Sequence, residues 1–163
     1  MAHHLDVFLN RLAREPAVLV TVEHTRGSVP REAGTWMAVF ARNQVGTIGG
    51  GQLEWSTLQQ ARQRLTAGDP RPWEQSAALG PSLGQCCGGS LVLRCEPVDV
   101  ADSAALRQRL APRLTPVALF GGGHVGRALV QALAPLPFAV HWVDSRDEVF
   151  PVDVPAQVHT EHS

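Results

Sequence analysis

Residues 84–90 read GQCCGGS, two adjacent thiols, Cys86 and Cys87, framed by Gly84, Gly88 and Gly89. Sulfur is a soft donor that suits thiophilic metals. Glycine neighbours let a ligand come close to the main chain. Two other loops are alike in composition: RGSVPREAG at 26–34 and GTIGGGQLE at 46–54. Each lies at the end of a predicted strand, so the three are expected to meet at one edge of a sheet. Arg26 and Arg31 contribute planar, permanently charged forks of the kind that grip phosphate. Glu32 and Glu54 add carboxylates, and His24 adds a titratable ring. The plainer alternative is three tight turns, with the arginines solvated or paired to the acids.

The remaining thiol, Cys95 in LVLRCEP, reads as a small apolar residue on a strand, free cysteine being commonly buried. Adjacent cysteines lie far from ordinary disulfide geometry. No C-x-x-C pair is present, so a structural zinc site is not expected. In a reducing compartment all three are free thiols.

A second chemical motif stands further on. In GGGHVG, residues Gly121, Gly123 and Gly126 satisfy G-x-G-x-x-G, after a predicted strand and at the start of a predicted helix. Gly121 allows the tight turn, Gly123 the approach of a pyrophosphate, and Gly126 close packing of helix on strand. Asp144 follows Gly126 by eighteen residues, at the end of the next predicted strand, where an acid would bind ribose hydroxyls.

The elements that position these residues follow from periodicity. Leu5, Phe8, Leu9 and Leu12 recur at helical spacing over 3–14. AVLVTVEHT is a strand buried in its first half, and TWMAVFA and VGTI form a hairpin. A helix is expected over 53–67, a short strand at WEQSA and another at LVLRCEPV. DVADSAALRQRLAPRLT connects, carrying a short helix capped by Asp102 or Ser103. PVALF, the helix after GGGHVG, and FAVHWVD make a β-α-β unit. After Asp144 at most one short strand fits, near Val154–His159. The expected shape is thus either a shortened form of a longer protein or a domain that borrows strands from a partner chain. The fold class is α/β, divided as 1–100, a connecting segment at 101–114, and an incomplete Rossmann-like domain at 115–163.

Composition narrows the setting. The 163 residues are 44% hydrophobic and 18% charged, as in ordinary globular proteins. Fourteen basic and fifteen acidic side chains give a net charge of −1, so no electrostatic footprint for nucleic acid is expected. No apolar run reaches membrane-spanning length and the first residues lack a signal-peptide core, so a cytoplasmic location is expected.

Taken in order, GSVPREAG, GTIGGGQLE, LGQCCGGSL, ALFGGGHVGRAL and VDSRDEVFP closely resemble the XdhC/CoxI family of xanthine dehydrogenase accessory proteins, across residues 5–155. The resemblance implies an XdhC/CoxI domain followed by a Rossmann-like one. It implies a factor that binds the molybdenum cofactor (molybdopterin), supports its sulfuration and delivers it to apo-xanthine dehydrogenase, a chaperone more than an enzyme. A cysteine desulfurase and a second copy in a homodimer are the other implied partners.

The family's C-G-G element falls on Cys87, Gly88 and Gly89, making Cys87 the first choice for a thiol at molybdenum and Cys86 the second. Its G-S-x-P-R element falls on Gly27, Ser28, Pro30 and Arg31, and its G-G-G element on Gly49, Gly50 and Gly51. Family members usually continue beyond the second Rossmann strand. Competing readings are an NAD(P)-dependent oxidoreductase using Gly121–Gly126 and Asp144, a thiol enzyme with Cys87 activated by His24 or His124, and a scaffold without ligand.

Overall fold

A computed structural model describes residues 2–69, 71–79, 88–146 and 148–163. The chain divides into two compact units, His3–Leu110 and Ala111–Ser163 with the first two residues.

The first unit is built on five antiparallel strands: β1 (Ala17–Arg26), β2 (Trp36–Val39), β3 (Gln44–Gly46), β4 (Trp73–Ala78) and β5 (Ser90–Val98), in the order β3-β2-β1-β5-β4. β1 is central and carries two cores at once. Val18, Val20 and Val22 face α2 (Gly51–Ala67), together with Met37, Leu53, Ala61, Leu93 and Cys95. Ala17 and Leu19 face α1 (Ala2–Leu12), whose Leu5, Phe8, Leu9 and Leu12 are all buried. A strand covered on both faces must be apolar at successive positions, which is why AVLV does not alternate. Each large side chain fully buried in these layers contributes about 1.5–3 kcal/mol over leaving it exposed. The third strand ends at Gly46, earlier than VGTI implies, because Gly46 turns at φ +82° and Thr47 and Ile48 leave the sheet for other bonds.

After β5 the chain makes a 3₁₀ turn at Val100–Asp102 and then α3 (Ser103–Leu110). The cap expected at Asp102 or Ser103 is Asp99: its carboxylate accepts the Ala101 N–H at 2.8 Å, and Asp102 returns the bond to the Asp99 N–H at 2.9 Å. The short turn inserted before α3 displaces the cap toward the N-terminus. Leu106 is buried against the α1 core.

The second unit is a three-stranded parallel sheet of β6 (Thr115–Phe120), β7 (Phe138–Asp144) and β8 (Val158–His162), in that order, with α4 (His124–Leu133) between the first two strands. Val130, Val140, Trp142 and Val158 form its core. The last strand starts four residues later than expected. Pro155 accepts the Val158 N–H in a turn at 2.8 Å, so pairing begins only after it.

Candidate functional site

Two strands of the first unit lead directly into the glycine-rich loops. β1 ends at Arg26, paired in register with Ser90 at the start of β5. Just past that pair Gly27 and Gly89 lie against each other, since a β-carbon on Gly27 would stand 3.2 Å from the Gly89 Cα. Gly89 has no room for a side chain at all: a β-carbon there would stand 2.5 Å from the Arg26 carbonyl oxygen and closer still to that of Ser28. The 46–54 loop meets the 26–34 loop from another side. A β-carbon at Gly49 would come within 2.9 Å of the Pro30 ring and 3.5 Å of the Arg31 Cγ. The 26–34 loop therefore touches both others. Ser28, Arg31, Gly49, Gly51 and Gly88 are exposed and Gly89 is buried. Cys86 and Cys87 lie outside the described residues.

The charges sort differently from the first impression. Among the described residues neither Arg26 nor Arg31 is in an ion pair, although both are exposed. Glu54 is not paired with them. Its carboxylate accepts Thr47 Oγ1 at 2.5 Å, the Ile48 and Gly50 N–H groups at 3.0 Å each, and Gln44 Nε2 at 3.1 Å. Burial pushes this carboxyl up, but the bonds from Thr47, Gly50, Gln44 and Ile48 outweigh it and hold it below its usual range. Glu54 thus clamps the triglycine loop to the first turn of α2, where a negative charge also meets the positive end of the helix. Its position just inside a helix that opens on glycines was the available signal for this role.

Cys95 is separate from this cluster. It is fully buried on β5, and burial pushes its thiol up to about 12. A neutral buried thiol packs and does not react.

In the second unit the glycine-rich turn has the expected close approach. A β-carbon on Gly126 would collide with the Gly121 carbonyl oxygen, which also accepts Trp142 Nε1 at 3.0 Å. Gly121 has φ +103°, and Gly123 caps α4 with open space around it. Asp144 does not present a free carboxylate. Oδ1 accepts the Arg146 N–H at 2.8 Å and its Nε at 2.9 Å; Oδ2 accepts the Gly122 N–H at 2.5 Å and Arg146 Nη2 at 2.8 Å. An ionised carboxylate has about four acceptor positions, and all are used. The Arg146 guanidinium first, then the Gly122 and Arg146 N–H groups, hold this acid well below the usual carboxylate range. Val149 packs on Gly122, and its carbonyl accepts Arg127 Nη2 at 2.8 Å. A ribose diol finds an acceptor at Asp144 only if Arg146 swings away. The group fits the turn and does not fit the acid as it stands.

Among the described residues no cluster of three or more His, Cys, Asp or Glu could hold a metal ion, and no helix is long and apolar enough to cross a membrane.

The fold and loops define an α/β protein in which a three-layer domain with a glycine-lined edge precedes a Rossmann-like unit. Residues 11–75 match the model of the XdhC and CoxI family. It is 30% identical over 131 residues to the uncharacterized protein YqeB of Escherichia coli strain K12, covering 79% of this chain and 22% of that relative. The chain therefore spans about a fifth of the length of this curated relative. The crystal structure of a xanthine dehydrogenase from Bacillus halodurans has the same fold, with a TM-score of 0.74 at 17% identity over 96% of this chain and 67% of that one.

Proposed function

We propose that the chain is an accessory factor for xanthine dehydrogenase that binds the molybdenum cofactor, hosts its sulfuration and hands it to the apo-enzyme. The observation that carries this is that the 26–34 loop touches both the 46–54 loop and Gly88–Gly89, leaving Arg31 exposed beside Gly49. Molybdopterin offers a phosphate, a hydrogen-bonding pterin and a dithiolene that holds molybdenum. Arg31 and the Gly51 N–H suit the phosphate, with Ser28 at the rim, while the Gly49 and Gly50 N–H groups are held by Thr47 and Glu54 and shape the loop. Cys87, one peptide bond before Gly88, is the soft donor for molybdenum, and Cys86 the reserve. Carriage requires release, so binding must be weaker than that of the recipient dehydrogenase. A cysteine desulfurase supplies the sulfur in this scheme, and the carrier works in the cytoplasm as a homodimer.

The match of residues 11–75 to the XdhC and CoxI family model supports this scheme, as does the name of the structural neighbour. A dinucleotide oxidoreductase, the second reading, is favoured by the Gly121–Gly126 turn and opposed by the saturation of Asp144. Mass spectrometry on protein purified from a host that makes the cofactor separates the two. Pterin and molybdenum on the intact chain are expected. NAD(P) in their place, or an intact chain carrying neither, overturns the proposal.

A further inference from the structure

The chain has four tryptophans, and the fold gives three of them partners. Trp36 packs on Phe8, and Trp73 lies under the Arg64 guanidinium. Trp142 is fully buried against Phe150, with its N–H on the Gly121 carbonyl. Trp55 differs. Among the described residues no aromatic ring, guanidinium or hydrogen-bond acceptor meets it, and it is 57% exposed.

Its place in α2 gives this exposure a direction. Leu53, Thr57 and Ala61 make up the buried face of the helix. Gln52, Trp55, Gln59 and Gln63 form an exposed stripe, recurring every three or four residues. An indole among glutamines forgoes the burial that rewards the other three tryptophans.

Trp55 also stands at the end of α2 that opens on the triglycine loop. Side chains on a helix lean toward its N-terminus, so the indole lies over the turn that starts at Gly51, four residues earlier on the same side. Gly51 carries no side chain to cover the face of the ring. The Gly51 and Trp55 Cα atoms are about 6 Å apart along the axis. Gly49 is at most about 7 Å farther along the chain, and a β-carbon there would touch the Arg31 Cγ. An arginine from one end and an indole from the other span a gap that one small molecule fills.

We infer that Trp55 is the stacking platform for the pterin ring, with the phosphate at Arg31 and the Gly51 N–H. This rests on the carrier reading and adds to it the group that recognises the heterocycle. Indole and pterin are both flat π systems that stack offset, and stacking of this kind tolerates varied substituents at the ring edge. Held by its face, the pterin leaves the dithiolene and its molybdenum open to sulfur chemistry and to handover. A stacked ring also leaves without breaking a covalent bond, as carriage requires.

The probe is neopterin monophosphate, a phosphorylated pterin with neither dithiolene nor metal, so that neither Cys86 nor Cys87 contributes. Calorimetric titration of the whole chain should show saturable binding, and tryptophan fluorescence should fall as the ring stacks. Trp55→Ala should weaken binding about tenfold or more, whereas Trp55→Phe, which keeps a ring, should retain most of it. Gln59→Ala, one turn farther along the same stripe, should leave it unchanged. Because both side chains are exposed, all three variants should keep the parental urea midpoint.

Binding indifferent to Trp55→Ala overturns the inference and leaves the carrier reading standing, with the ring placed elsewhere. A parent that carries pterin from a cofactor-making host yet ignores the probe also overturns it, since the cofactor is then held through sulfur and metal. A parent that neither binds the probe nor carries pterin overturns the carrier reading and the platform together.

Discussion

Gly89 and Ser28 are in backbone contact: the Cα of the one sits against the carbonyl of the other with no space for a β-carbon between them. Gly89, the last residue before β5, is in this way anchored to the loop that carries Arg31.

Gly89→Ala should therefore cost stability, about 1–3 kcal/mol from overpacking, as backbone oxygens cannot step aside like a side-chain tip. Gly88→Ala, next door, meets nothing within 4 Å and should be near neutral. Chemical denaturation of both variants checks this; equal midpoints would show that the contact is not under constraint.

Removing the Glu54 carboxylate strands the donors on Thr47, Ile48, Gly50 and Gln44. Glu54→Ala should lose roughly 1–3 kcal/mol at neutral pH. The sign of the pH dependence follows from the lowered folded-state pKa. The stabilisation is full above the ordinary value of 4.5 and disappears as pH falls through the lower folded value. Unfolding curves of parent and variant should converge in acid; a gap that persists at low pH would contradict the clamp.

Cys95 should resist iodoacetamide in the native protein at mildly alkaline pH, because its thiol is buried and pushed up to about 12. Unfolding in urea should expose it to alkylation. Peptide mapping gives the answer, and native-state labelling at Cys95 would place it near an opening of the sheet.

NADH titration of the unmodified chain should give no saturable binding, since Arg146 and Gly122 occupy the Asp144 acceptors. Saturable binding that Asp144→Asn abolishes would mean that Arg146 yields to the ribose.

Cys87→Ala should lower the molybdenum carried by the purified protein several-fold, with circular dichroism unchanged. Metal content equal to the parent's would remove Cys87 from the site, and the Cys86 variant would then be the next measured.

Periodicity along the chain was enough to locate most of the elements, because helices and strands are set by spacings of a few residues. Leu5, Phe8, Leu9 and Leu12 define α1 from their own sequence, and the unbroken AVLV foretells a strand covered on both sides. Boundaries shifted where one local bond displaced another: Asp99 caps the 3₁₀ turn that precedes α3, and the Pro155 carbonyl holds the Val158 N–H in a turn that delays β8.

The sequence by itself supplied the residue types: glycines, Arg31, the thiols, and a G-x-G-x-x-G turn followed by an acid. Only tertiary structure decided their partners. Glu54 looked like a carboxylate for the ligand and is spent on the backbone of its own loop; Asp144 looked like a ribose acceptor and is spent on Arg146 and Gly122. Spacing tells which chemical groups a chain possesses, but a carboxylate has few acceptor positions, and which donors fill them depends on segments brought together through folding.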